Sequence, residues 1–247
     1  MLGMYDMPAL QPANDRLWTL IRSHLGYGPD HLTRDADVWE IWLNSDMVFA
    51  QTCGMPYRTR LHGKVQLIGT PDYELVGCPP GHYRSILVAR QDDQRGLDQL
   101  IGGIFAYNEA LSQSGWAAPL VHLAQRDLIP ATIHQTGGHV HSARAVADGH
   151  ADYAALDALT WELLKEHTDM GTTLREIGAT EPTPALPYIT ANGQNASEIA
   201  RAVRAAIHAL PAEDRRLLHL HDLIDISADE YLCVSNPDQD MVNQLSP

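Results

Sequence analysis

Apolar and polar positions follow two alternating rhythms along the chain. Short apolar runs at Met47–Ala50, Val65–Thr70, Tyr83–Arg90, Gly103–Tyr107, Ala131–His134, Tyr153–Asp157 and Leu174–Gly178 read as strands. Between them the apolar spacing lengthens to that of helices. Leu17, Trp18, Ile21 and Leu25 form one face of a helix expected to follow a cap at Asn14 and to stop at Gly26. Val140–Ala147 reads as a second helix closed by Asp148-Gly149, and Ala196–Leu210 as a longer amphipathic one. Strand, helix, strand in this order predicts parallel βαβ units under helices, an α/β fold.

Two segments break the rhythm. Tyr83–Arg90 is one continuous apolar run ending in the polar turn Gln91-Asp92-Asp93, and Thr180–Pro187 is Pro-rich and extended, so it cannot be helical. Both read as crossovers between lobes. The expected division is a lobe of residues 90–178 inserted into another built from residues 1–89 and 179–247. No internal repeat or low-complexity tract is visible.

Composition narrows the function classes. The 247 residues carry 17 Lys+Arg against 31 Asp+Glu, a net charge of −14, which argues against a generic nucleic-acid or anionic-membrane binder. A hydrophobic share of 45% argues for a folded core. No apolar run approaches the roughly 20 residues that span a bilayer. Met1–Leu10 has neither the basic start nor the apolar run of an export signal, so the sequence as it stands points to the cytoplasm. Three cysteines make no disulfide framework. Cys53 and Cys78 both lie in Gly/Pro-rich stretches where they could meet, but free thiols are the simpler reading.

Four stretches carry candidate chemistry. Asn108-Glu109-Ala110-Leu111-Ser112-Gln113-Ser114-Gly115 follows a strand and precedes a helical segment, Trp116–Arg126. Backbone N–H groups at a helix start, two hydroxyls and a glycine suit an anion, although Ser114 as a plain helix cap fits the same spacing. Pro119 requires that helix to begin near Trp116 or to be kinked there. Thr136-Gly137-Gly138-His139-Val140-His141-Ser142 repeats the strand-to-helix pattern, and His139 reads as an anion donor, a proton-transfer group or a structural histidine. His139 and His141 share a face only on a strand, no HExxH is present, and no zinc-ligand spacing appears, so no metal is expected.

The third stretch, Phe49–Tyr57, ends a strand in a Gly/Pro turn. Gln51, Thr52 and Tyr57 are candidate ligand contacts there, and Cys53 lacks the surroundings of a nucleophile. In the fourth, Asp152–Thr160, Asp157 either contacts a ligand or caps the following helix.

In order along the chain, the stretches MYD (Tyr5, Asp6), QTCGMPY (Gln51–Tyr57), GCPPGHYRSILVAR (Gly77–Arg90), NEALSQSG (Asn108–Gly115), Thr136–Asp157 and TEPTPALPYIT (Thr180–Thr190) resemble the substrate-binding proteins of phosphate, phosphite and phosphonate ABC importers. The resemblance implies a type II periplasmic-binding-protein fold, a two-lobed α/β clamshell with mixed sheets and two hinge crossovers. It implies that Ser112, Ser114 and Gly115 hold the oxygens of a small phosphorus oxyanion, with Gln113 a further candidate ligand contact in the same loop. His139 would approach from the same lobe, and Tyr5, Thr52 and Tyr57 from the other. Selectivity between phosphate and phosphite would rest on whether a buried carboxylate such as Asp157 accepts a ligand proton. A non-enzymatic receptor without a cofactor, partnered by an ABC permease in the periplasm, is the function implied. The competing readings are an enzyme on the same fold, with His139 and Asp157 as its acid/base pair and menaquinone or thiamin-pyrimidine biosynthesis as its setting, and a cytoplasmic ligand sensor. The stretch PTPALP offers no carboxylate to pair an amine, so unless Asp157 does so an aminoalkyl phosphonate would leave its ammonium unpaired.

Overall fold

The computed structural model describes residues 1–245, and these divide into two compact units, residues 1–82 with 184–233 and residues 83–183 with 234–245. Its strands are β1 (Ala50–Gln51), β2 (Val65–Asp72), β3 (His82–Tyr83), β4 (Ser85–Arg90), β5 (Ile104–Tyr107), β6 (Thr132–Gln135), β7 (Tyr153–Asp157), β8 (Leu174–Ala179), β9 (Thr183–Pro184), β10 (Tyr188–Ala191) and β11 (Asp222–Ile224).

In the first unit, β1, β10, β2 and β11 form an antiparallel sheet in that order. The helix Gln11–Leu25 packs against the helix Ala196–Ala209. The first buries Ala13, Leu17, Trp18, Ile21 and Leu25 along one stripe, as its spacing predicts. Each such large apolar side chain stabilises the unit by about 1.5–3 kcal/mol on burial. That helix starts at Gln11 rather than after Asn14, because Pro12 fits only in a first turn. Asn14 lies inside it and donates from Nδ2 to Asp6 Oδ1 at 2.9 Å. Gly26 closes the helix at φ 77°, donating its N–H to the Arg22 carbonyl at 2.8 Å.

In the second unit the sheet order is β6, β5, β7, β4, β8. Strands β5, β6 and β7 are parallel, whereas β4 runs antiparallel to both β7 and β8. The expected βαβ arrangement therefore covers three strands of five, and the sheet is mixed. The run Tyr83–Arg90 breaks at Arg84, and Ser85–Arg90 joins this sheet between β7 and β8. Ile86–Ala89 and the whole of β7 are buried, as central strands covered on both faces must be.

Candidate functional site

The site elements of the second unit gather at one end of its sheet. Parallel pairing sets Tyr107 opposite Gln135, so the loops leaving β5 and β6 start side by side. They are stitched together by the N–H of Thr136 donating to the Tyr107 carbonyl at 2.8 Å and that of Gly137 to the Asn108 carbonyl at 2.9 Å. The Thr136 hydroxyl faces the carbonyls of Tyr107 and Gly138, both at 3.1 Å, and Ser142 Oγ at 2.7 Å. Its one hydrogen serves the carbonyls, so Ser142 is the donor to Thr136. The carboxyl ends of parallel strands are where open α/β sheets place ligands.

The chain turns helical at Gln113 rather than Trp116. Gln113–Ala117 form a widened turn with Ala117 N–H donating to the Ser112 carbonyl at 3.0 Å, and Ala118–Ala124 continue as an α-helix. Pro119 explains the widening, because its ring would strike the carbonyl four residues back in a regular α-turn. Ser112 caps the turn, its Oγ accepting the Gly115 N–H at 2.9 Å, which leaves the hydroxyl hydrogen available to another acceptor.

Ser114 Oγ lies 2.9 Å from His139 Nε2. His139 opens the helix His139–Ala147. Gly115 admits this approach: a Cβ there would run into the Asn108 carboxamide and come within 3.2 Å of His139 Cε1. Burial of the imidazole lowers its pKa to about 4, with the Ala155 carbonyl pulling weakly the other way, so the ring is neutral at physiological pH. Oδ1 of Asn108 is buried without a hydrogen-bond partner. Asn108, Ser112, Ser114, Gly115 and His139 thus form one polar cluster.

Asp157 ends β7 at the same edge of the sheet. Its carboxylate accepts the Thr160 N–H at 3.0 Å and caps the helix Ala158–His167. Opposite it stands Ser85, whose N–H donates to Thr180 Oγ1 at 3.0 Å and whose own hydroxyl is buried without a partner. Asn108 and Ser85 were not singled out by sequence reasoning. The available signal was a polar residue at the boundary of an apolar strand, Ser85 before Ile86 and Asn108 after Tyr107.

In the first unit the candidates separate into two groups. Tyr5 meets Tyr73 edge to face at 5.5 Å, and Gln51 donates from Nε2 to Tyr73 Oη at 3.0 Å and to the Leu186 carbonyl at 3.1 Å. Both amide hydrogens of Gln51 are therefore committed within the protein. Thr52 donates its N–H to the Pro187 carbonyl at 3.1 Å, and its hydroxyl is buried without a partner. Tyr57 lies elsewhere, in an apolar cluster against Tyr231, and burial raises its pKa.

Among the described residues no disulfide joins Cys53, Cys78 and Cys233, and no group of three or more His, Cys, Asp or Glu side chains could hold a metal. No helix among them is long and apolar enough to cross a membrane.

The fold is that of the periplasmic binding proteins. A binding component of an ABC phosphonate transporter from Pseudomonas aeruginosa superposes with a TM-score of 0.73 at 18% identity, over 93% of this chain and 82% of that one. PhnD1 from Prochlorococcus marinus, solved with methylphosphonate, gives 0.66 at 14% identity over 95% and 92%. A Xanthomonas citri protein solved with chloride gives 0.65 at 15% over 98% and 95%. No curated protein matches the sequence. The chain belongs to the periplasmic phosphonate substrate-binding proteins of ABC transporters, whose pattern it matches over residues 46–231. That family consists of transport receptors, not enzymes, so the reading of His139 and Asp157 as a catalytic pair gives way.

Proposed function

We propose that this chain captures a small phosphorus oxyanion, a phosphonate, phosphite or phosphate, at the cluster of Ser112, Gln113, Ser114, Gly115 and His139 and delivers it to an ABC permease from the periplasm. The observation that carries this reading is the Ser114–His139 contact beside Ser112, whose hydroxyl accepts the Gly115 N–H and keeps its own hydrogen uncommitted. An oxyanion only accepts hydrogen bonds, so the site must present donors. A neutral His139 that donates from Nε2 to Ser114 Oγ frees the Ser114 hydroxyl hydrogen for the ligand. Ser112 supplies a second hydroxyl, and the helical turn it caps supplies main-chain N–H groups and the favourable end of its dipole. A protein of net charge −14 can hold an anion this way, because charge-assisted hydrogen bonds act locally where water is excluded.

Thermal melting of the purified chain tests the proposal against methylphosphonate, phosphite, phosphate, sulfate and uncharged metabolites. A ligand at 100 times its Kd adds about 2.7 kcal/mol, which raises the melting point of a chain this size by about 5–10 °C. A rise confined to phosphorus oxyanions is expected. No rise with any of them, at concentrations up to millimolar, overturns the assignment.

A further inference from the structure

The first unit holds a cavity of about 560 Å³, apart from its Tyr5–Gln51 group, lined by Trp39, Leu43, Arg58, Arg60, His62 and Lys64 with Thr59. We propose that this cavity is a second ligand site, built for a multiply charged organic phosphate of the nucleoside-polyphosphate type. Its volume falls in the range of about 300–1,000 Å³ typical of small-molecule sites.

Charge is the first argument. The chain has 17 cationic side chains against 31 carboxylates, yet three of those cations line this one cavity and no carboxylate does. Six arginines outside it, Arg16, Arg22, Arg34, Arg90, Arg95 and Arg204, each pair with a carboxylate. Arg60 and Lys64 are exposed and pair with no carboxylate among the described residues. Asp37, the cap of the short helix Val38–Trp42, accepts the N–H groups of Trp39 and Glu40, and Glu40 lines a different cavity. An isolated pair of charges in water gains little, so a concentration of cations selects for a ligand with several negative charges.

Order and apolar surface supply the second argument. The Arg60 guanidinium lies over the Trp39 ring at 5.2 Å, and Trp39 in turn meets Trp42 edge to face at 5.0 Å. Trp42 is buried and anchored by its indole N–H donating to the Gln51 carbonyl at 3.0 Å. Arg60 is thereby held ready, which lowers the ordering cost of binding. Leu43 is 54% exposed beside it. An inorganic anion has no use for this apolar shelf, whereas the organic part of a nucleotide does.

Calorimetric titration of the full chain with ATP and with inorganic pyrophosphate tests the proposal. ATP is expected to bind more tightly than pyrophosphate, and the double variant Arg60→Ala/Lys64→Ala to weaken it at least tenfold with an unchanged melting temperature. Trp39→Leu should reduce the preference for ATP over pyrophosphate. Any methylphosphonate affinity should be the same in the double variant as in the parent chain, and Ser114→Ala should leave ATP binding intact, so the two sites stand or fall separately. Absence of ATP binding overturns the proposal, as does ATP binding that is lost in Ser114→Ala but kept in the double variant. Sedimentation with phosphatidylglycerol vesicles, lost in the double variant and not competed by ATP, would reassign the cavity to a lipid headgroup and overturn it as well.

Discussion

Ser114 Oγ and His139 Nε2 stand 2.9 Å apart, joining the loops that leave two adjacent parallel strands. The contact couples two functions. It fixes the imidazole, and it decides where the serine hydrogen points.

Removing either partner should therefore weaken oxyanion binding. Ser114→Ala deletes a donor to a charged ligand, for which a loss of about 1–3 kcal/mol is expected, a Kd rise of roughly 5- to 150-fold. His139→Ala should weaken binding in the same direction, because the Ser114 hydroxyl loses the partner that turns its hydrogen toward the ligand. If the two act as a unit, the double variant loses less than the sum of the single losses. Calorimetric titration with methylphosphonate checks this, and strict additivity would dissolve the coupling.

Burial of His139 also leaves a signature in stability. Its folded pKa of about 4 lies below the ordinary 6.5 of an unfolded chain. Between those values the unfolded state binds a proton that the folded state refuses. Stability is therefore fully present above pH 6.5 and falls as the pH drops toward 4, at up to about 1.4 kcal/mol per pH unit. Other groups titrate in the same range, so the comparison is with His139→Gln. Denaturant midpoints of parent and variant should converge as the pH falls from 7 to 4.5. Parallel pH profiles would show that the imidazole is not held neutral.

Gly115 should tolerate no side chain. In Gly115→Ala the new methyl group meets the Asn108 carboxamide and crowds His139, so one of them must move. Overpacking of this kind costs about 1–3 kcal/mol, and here it should abolish ligand binding as well. Trimming the obstacle in Gly115→Ala/Asn108→Ala should recover much of the melting temperature. If Gly115→Ala alone melts like the parent and binds normally, the close packing is not what the site depends on.

These residues were legible in the sequence to different degrees. The runs Val65–Thr70 and Tyr153–Asp157 announced themselves as strands because they are apolar, short and bounded by turns, and the structure extends them little or not at all. Strands Tyr188–Ala191 and Asp222–Ile224 escaped notice: one follows a Pro-rich stretch and the other has three residues, too few for a period. The antiparallel placement of Ser85–Arg90 was hidden because a strand buried on both faces reads the same in either direction. Within the site, the two polar loops were visible one at a time. Their meeting was not, because it depends on the register that sets Tyr107 beside Gln135, and local spacing carries no register. Gln51 was marked by its position at a strand end, and its bonds from Nε2 to Tyr73 and Leu186 could not be read there because both partners are distant in sequence.

Asp157 was open to two readings, helix cap and ligand contact, and a pair of variants separates them. The carboxylate caps the helix Ala158–His167 by accepting the Thr160 N–H. Asp157→Ala removes that acceptor and should lower stability by about 0.5–2 kcal/mol. Asn caps as well as Asp, so Asp157→Asn should recover most of that loss while removing the charge. The two variants then differ in what they report about the ligand. A carboxylate that accepts a proton from a phosphite or a monoprotonated phosphonate contributes only to that species. Asp157→Asn should accordingly weaken binding of the protonated ligand at pH 6 more than binding of the dianion at pH 8.5. Equal affinities for parent and Asp157→Asn at both pH values, with only Asp157→Ala losing stability, would make Asp157 a cap and nothing more.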